Sequence, residues 1–250
     1  MIKPEFLITP AGRELAYHKT PGQAPGVVFL GGFKSDMEGT KALHLEDWAK
    51  RMGRAFLRFD YSGHGQSSGR FTDGSISDWG GDARAAIDSL TDGPQVLVGS
   101  SMGGWISLIL ARDICKKIAG LVTIAAAPDF TEDAMWAGFD ETQRAELMKT
   151  GQVALPSEYG APYIITRRLI EDGRKNLVLR GPLNLPFPVR YLQGTADKDV
   201  EISVAMSLIQ HSASPDMRLT LVDGADHRFS DQACLELIEA TVDEVISRAA

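Results

Sequence analysis

The hexapeptide Gly99-Ser100-Ser101-Met102-Gly103-Gly104 holds a serine flanked by glycine two positions before and two positions after it. Only Ser101 has that spacing, because Ser100 has Val98 in the first place. Glycines at these flanks allow a sharp turn from strand to helix where a Cβ would strike its neighbours, and such a turn presents the hydroxyl outward. An unaided serine hydroxyl is a weak nucleophile. It needs a base beside it, and the base needs an anion to fix its tautomer. The same hexapeptide also fits an ordinary helix start with a hydroxyl cap, so the rest of the chain must supply the partners.

Three of the five histidines precede the serine. His18 reads as a half-exposed strand residue, His44 as a helix residue, and His64 as part of a glycine-rich turn. Only His211 and His227 follow it. His211 ends a helix, where it complements the helix dipole. His227 sits in the loop after the last expected strand. Asp197 stands just after another strand, in the loop before a helix. Asp199, Asp223 and Asp226 compete with it as the anion. Asp226 is adjacent to His227 and poorly placed to bond its ring, and Asp199 could cap the next helix. Placement therefore selects Ser101, His227 and Asp197.

These residues need elements to hold them. Gly26-Val27-Val28-Phe29-Leu30, 55–59, 95–98, 118–127, 189–192 and 217–222 are apolar or β-branched runs of strand length. Helical patterns at 40–52, 77–90, 105–112, 201–211 and 231–248 separate them, so strands alternate with helices as in a parallel sheet covered on both faces. Ser77-Asp78 reads as the cap of the second helix. Two short strands, 5–8 and 14–18, come first. Gly31-Gly32 closes the first buried strand and either makes a plain turn or aims the Phe33 N–H at a ligand. The alternation breaks from Phe130 to Phe187, where helical patches at 140–151 and 163–170 appear without a convincing strand. Met135, Trp136, Phe139, Met148 and Tyr159 are many large apolar groups for a loop. This segment reads as a helical lid of about 130–187 within a single domain, resting on the sheet's C-terminal edge.

A chain of 250 residues with 44% hydrophobic content suits one sizeable core, and a net charge of −7 argues against a nucleic-acid partner. No apolar run approaches the roughly 20 residues of a membrane span. The two cysteines, Cys115 and Cys234, form neither a disulfide framework nor a zinc pattern, and the first residues lack signal-peptide character. A cytoplasmic protein without metal or cofactor is expected, in an oligomeric state the sequence leaves open.

With these motifs in place, the chain resembles the serine α/β-hydrolases. Leu30-Gly31-Gly32-Phe33, Asp60-Tyr61-Ser62-Gly63-His64-Gly65-Gln66-Ser67, the Ser101 turn, Gly194-Thr195-Ala196-Asp197 and Gly224-Ala225-Asp226-His227 carry the likeness. Gly39-Thr40-Lys41-Ala42-Leu43, 92–105 and Asp226-His227-Arg228 bring it nearest to the palmitoyl-protein thioesterase and mycophenolic acid acyl-glucuronide esterase branch. The resemblance implies an α/β fold with a mostly parallel twisted sheet. It also implies catalytic Ser101, Asp197 and His227, and an oxyanion hole made by the Phe33 and Met102 N–H groups. It covers the core well and the 130–187 segment poorly, and Gly31 stands where the family usually has a histidine. The implied activity is hydrolysis of esters or thioesters through an acyl-enzyme, on a small molecule or an acylated protein. The contrasting possibility is a non-catalytic receptor on the same fold. Phe33, Trp105, Trp136 and Phe139 are the expected pocket residues, and an apolar lining with few fixed charges near the serine is expected around them.

Overall fold

Six apolar runs become the parallel strands of one sheet. In the computed structural model, which describes residues 3–113, 115–156 and 162–249, the strands are β1 (Glu5–Ile8), β2 (Glu14–Thr20), β3 (Gln23–Leu30), β4 (Arg54–Phe59), β5 (Gln95–Ser100), β6 (Ile118–Ile124), β7 (Gln152–Leu155), β8 (Tyr163–Thr166), β9 (Leu183–Asn184), β10 (Val189–Gly194), β11 (Ser212–Ala213) and β12 (Met217–Val222). The main sheet has eight strands in the order β1-β2-β4-β3-β5-β6-β10-β12. Only β1 and β2 run antiparallel to their neighbours. The strands from β4 to β12 therefore all end on one edge.

The helices are α1 (Thr40–Met52), α2 (Ile76–Leu90), α3 (Met102–Asp113), α4 (Glu141–Thr150), α5 (Arg167–Gly173), α6 (Ile202–His211) and α7 (Gln232–Arg248). One face of the sheet packs on α1 and α7, where Leu45 and Trp48 meet Ile238, Val242 and Val245. The other face packs on α2, α3 and the segment between β6 and β10, around Trp79, Trp105 and Ile106. From β3 the chain crosses to β4, and from β5 it crosses to β6 on the opposite side. The crevice of an open α/β sheet forms where these crossings diverge, outside the C-terminal ends of β3 and β5.

Local capping matches the sequence at α4, where Asp140 and Gln143 form a reciprocal capping box and Gly151 closes the helix in the left-handed region. At α2 the cap is Ser75, whose side chain accepts from the Asp78 amide, and not the expected Ser77-Asp78 pair. His18 is buried rather than half-exposed, because β2 is covered on both sides and pairs His18 with Arg58 of β4.

The segment after β6 differs more. Its first turn, Thr131–Trp136, is a π-helix. Residues 163–166 form strand β8 rather than helix and pair antiparallel with β7, and only then does α5 begin. Leu183 and Asn184 pair in parallel with Ser212 and Ala213. These pieces were hidden because two to four residues show no periodicity. Tyr159 lies outside the described residues. Asp129, in the loop after β6, ties the segment down: its carboxylate accepts from the Val178 and Leu179 amides at 2.8 and 3.0 Å and pairs with Arg180.

Gly99 and Gly103, the glycines that flank Ser101, are steric requirements. A Cβ on Gly103 would lie 2.0 Å from the Leu30 carbonyl oxygen, and one on Gly99 would lie 2.4 Å from the Gly103 oxygen. Gly103→Ala is therefore expected to cost about 3 kcal/mol, at the upper end of ordinary overpacking, since the obstacle is backbone and not a flexible side chain. Urea unfolding measures it. A loss under about 1 kcal/mol, within the reach of ordinary packing adjustment, would show that α3 can move off β3.

Candidate active site

Ser101 follows the buried strand β5 and precedes α3. Its φ of 52° lies in the left-handed region, a conformation that costs a non-glycine residue about 1–3 kcal/mol and persists only where the surroundings enforce it. They do so here. The Ser101 amide donates to the Ile124 carbonyl at 2.9 Å, and the Ser101 carbonyl accepts from the Gly104 and Ala127 amides. The hydroxyl is left facing the crevice.

His227 reaches Ser101 from the loop after β12, and its Nε2 lies 3.1 Å from Ser101 Oγ. Its Nδ1 lies 2.9 Å from Asp197 Oδ2. Because a carboxylate only accepts, Nδ1 carries the proton and Nε2 is free to accept from the serine hydroxyl. Asp197 sits after β10 with its side chain fully enclosed. Its Oδ1 accepts from the Asp199 and Val200 amides, both at 2.9 Å, and its Oδ2 accepts from Gln193 Nε2 as well as from His227. Burial alone pushes this carboxyl up, but the hydrogen bonds from His227 and the two amides outweigh it and hold it below the usual carboxylate range.

The rival aspartates are otherwise engaged. Asp226 accepts from the Phe229 amide, Asp223 accepts from Thr195 Oγ1, and Asp199 contributes its backbone N–H to Asp197. Asp199 does not cap α6, whose N-cap is Glu201. His211 bonds the Ser207 carbonyl within its own helix.

Beside Ser101 the Gly31-Gly32 turn brings Phe33 to the crevice, and a Cβ on Gly32 would already touch the Ser101 side chain at 3.4 Å. The amides of Phe33 and Met102 have no hydrogen-bond partner among the described residues. A helix N-terminus leaves its first N–H groups unpaired, which makes the Met102 amide available to an anion. A cavity of about 1220 Å³ opens over Ser101 and His227.

The serine aminopeptidase S33 family model matches residues 25–171. The mitochondrial palmitoyl-protein thioesterase ABHD10 of Rattus norvegicus is 35% identical over 245 residues, spanning 97% of this chain and 82% of that protein. A crystal structure described as a hydrolase, from Agrobacterium vitis S4, superposes with a TM-score of 0.94 at 40% identity over 98% of this chain and 99% of the other. The mouse α/β-hydrolase domain-containing protein 10 gives a TM-score of 0.92 at 32% identity over 100% of both chains. The chain belongs to the α/β-hydrolase family.

The lining of this hydrolase's cavity departs from expectation. Phe33 lines it, together with Phe130, Met135, Tyr163 and Leu179. Trp105, Trp136 and Phe139 are absent from it. Trp105 is fully buried and donates its Nε1–H to the Asn176 carbonyl at 3.1 Å, because every residue of α3 from Met102 to Ala111 is already enclosed by sheet and crossing segment. Trp136 lies between the guanidinium groups of Arg144 and Arg174, and Phe139 packs edge-on against it. Both hold the inserted segment together. The Met102 side chain is buried, and Met148 is half-exposed away from the cavity.

Charges are also more numerous than expected. Lys34, Lys41, Asp199 and Glu201 line the cavity as well, and the Lys34 ammonium sits over the Tyr163 ring, 4.8 Å from its centroid. Burial lowers the Lys41 ammonium to about 8, and it donates to the Arg228 carbonyl in the His227 loop. Phe130 could have been suspected from its place just after Pro128-Asp129 at a strand's C-terminal end. Tyr163 and Leu179 carried no such signal.

Asp197, Asp199 and His227 place donor atoms within 4.8 Å of one another, a spacing open to a cation. The Asp197 oxygens are already taken by four N–H groups, however, and a metal would have to displace them.

Proposed function

We propose that this hydrolase cleaves carboxylic esters and thioesters through an acyl-enzyme on Ser101. The single observation that carries the reading is the continuous relay Ser101 Oγ–His227 Nε2–His227 Nδ1–Asp197 Oδ2, with links of 3.1 and 2.9 Å. Ser101 Oγ attacks the carbonyl carbon and passes its proton to His227 Nε2. Asp197 stays ionised and stabilises the imidazolium. The Phe33 and Met102 N–H groups receive the oxyanion. Preorganised donors of this kind are worth on the order of 10²–10³ in turnover each. The tetrahedral species collapses, and His227 gives the proton to the departing alkoxide or thiolate. Water then repeats the sequence, releasing the acid and restoring the serine.

The acyl group is assigned to the wall formed by Phe33, Phe130, Met135, Tyr163 and Leu179. Each methylene buried there contributes about 0.8 kcal/mol, or roughly four-fold in binding. In a series of p-nitrophenyl esters with one leaving group, kcat/KM is expected to rise from acetyl through medium acyl lengths, with acyl-thioesters following the same order. An optimum at acetyl would assign these side chains to packing alone. A fluorophosphonate probe tests the nucleophile directly. Labelling at Ser101 supports the reading, and a folded protein that neither labels nor turns over any ester would favour a non-catalytic receptor.

A further inference from the structure

The loop that carries the Phe33 amide has a feature which the relay does not use. Lys34, the next residue, has a φ of 57°. A lysine at this φ needs something to hold it there. Its amide donates to His64 Nε2 at 3.2 Å. Because the amide is a donor, that ring nitrogen must be unprotonated. The proton then lies on Nδ1, which donates to the Ser62 carbonyl, also at 3.2 Å. Only a neutral ring in this one tautomer satisfies both bonds.

The ring itself is fixed. His64 is 4% exposed. Tyr61, Phe71 and Trp79 surround it edge-on at 5.6, 5.2 and 5.1 Å between centroids. Trp79 also donates to the Ser62 carbonyl, and the Ser62 amide and hydroxyl both donate to Asp82. The turn beneath cannot shift easily. A Cβ on Gly65 would lie 2.1 Å from the Asp60 carboxylate, which accepts from the Met37 and Gln66 amides. The Phe33 ring rests against Phe71 and Trp79 at 4.8 and 6.0 Å, so His64 and the oxyanion loop share one aromatic cluster.

We propose that His64 is the positioning residue of the oxyanion hole: its neutral Nε2 holds the Lys34 amide and thereby aims the adjacent Phe33 N–H at the developing oxyanion. This rests on the acyl-enzyme reading of Ser101. The charged groups facing the ring are Asp82 and Lys34, and burial is the largest influence on it, lowering its pKa from the ordinary histidine value, the direction that favours the neutral ring.

The test compares His64→Phe, which keeps the aromatic packing and removes the acceptor, with His64→Gln, which can place an oxygen near Nε2. The probes are a p-nitrophenyl ester and a trifluoromethyl ketone, whose serine adduct carries an oxyanion. His64→Phe is expected to lower kcat by about 10- to 100-fold, below the loss of a whole donor. KM should change by less than about two-fold, and ketone affinity should fall by the same factor as kcat. His64→Gln should recover most of both. A folded His64→Phe with unchanged kcat and ketone affinity overturns the proposal, as does a loss confined to KM. If His64→Phe does not fold, ¹⁵N spectra of the wild-type histidines decide instead. A neutral, Nδ1-protonated His64 from pH 6 to 8 supports the proposal, and an Nε2-protonated one overturns it. Wild-type protein that binds no ketone and hydrolyses no ester would fail at Ser101, and both readings would fall together. Intact wild-type activity with an indifferent His64 sinks only this one.

Discussion

Ser101→Ala is expected to lower kcat for ester hydrolysis by about 10⁶-fold, the loss typical when the nucleophile of a complete triad is removed. The size follows from the geometry. His227 Nε2 has Ser101 Oγ as its partner at 3.1 Å, so removing that oxygen leaves the base with nothing to activate. What survives comes from the oxyanion donors and from substrate binding. The fold should be unaffected, since alanine carries the same Cβ at the same φ of 52° and the three backbone bonds of Ser101 remain. A melting temperature close to wild type checks that point. Ser100→Ala is the control. Ser100 is the last residue of β5 and 6% exposed, and the His227 Nε2 bond goes to Ser101 Oγ. Its loss should change kcat by less than about ten-fold, far below the effect of removing a triad member. Mass spectrometry of the fluorophosphonate adduct locates the nucleophile independently. An adduct on Ser100, or equal losses in the two variants, would move the nucleophile by one residue and break the proposed mechanism.

Asp197→Asn should lower kcat by about 10⁴-fold with little change in KM. An asparagine can offer its NH₂ to His227 Nδ1. The ring then accepts there and carries its proton on Nε2, where it faces Ser101 Oγ with no lone pair to receive the hydroxyl proton. Asp199→Asn should be mild, because Asp199 serves Asp197 through its backbone amide, which the substitution keeps. If Asp199 proved the sensitive position, the acid would have been misassigned. Asp197→Asn also has a stability signature. The folded-state pKa of Asp197 is lowered, mainly by its bond to His227 once burial has been offset. The unfolded value is about 3.9. The ionised form therefore contributes stability above about pH 4, and that contribution is lost as pH falls through the lower folded value. Urea midpoints measured from pH 6 down to pH 3 should show this component in the wild type and lack it in Asp197→Asn. Identical slopes in the two proteins would mean that the carboxylate is not held by these bonds.

The parallel sheet, its covering helices and the convergence of Ser101, Asp197 and His227 were legible in the sequence because each depends on local spacing. Gly99 and Gly103 declare a close approach wherever they fall, and the Cβ clashes with the Gly103 and Leu30 carbonyls are what that spacing requires. Apolar runs of strand length, separated by capped amphipathic stretches, permit few other arrangements. Asp197 and His227 follow strands that must end on the same edge as β5. The tertiary structure decided which large side chains meet a substrate. Trp105, Trp136 and Phe139 are apolar enough to demand burial, but the hydrophobic effect has no direction and does not say against what. Trp105 is consumed by the Asn176 carbonyl and Phe130, Trp136 by two arginines, and Phe139 by Trp136. Phe130, Tyr163 and Leu179 reach the cavity through the path of the inserted segment, whose short strands β7 and β8 exist only as a pair. His64 shows the same limit. In the sequence it is one residue of a glycine-rich turn, and its bond to Lys34, thirty residues away, arises only when β3 and β4 lie side by side.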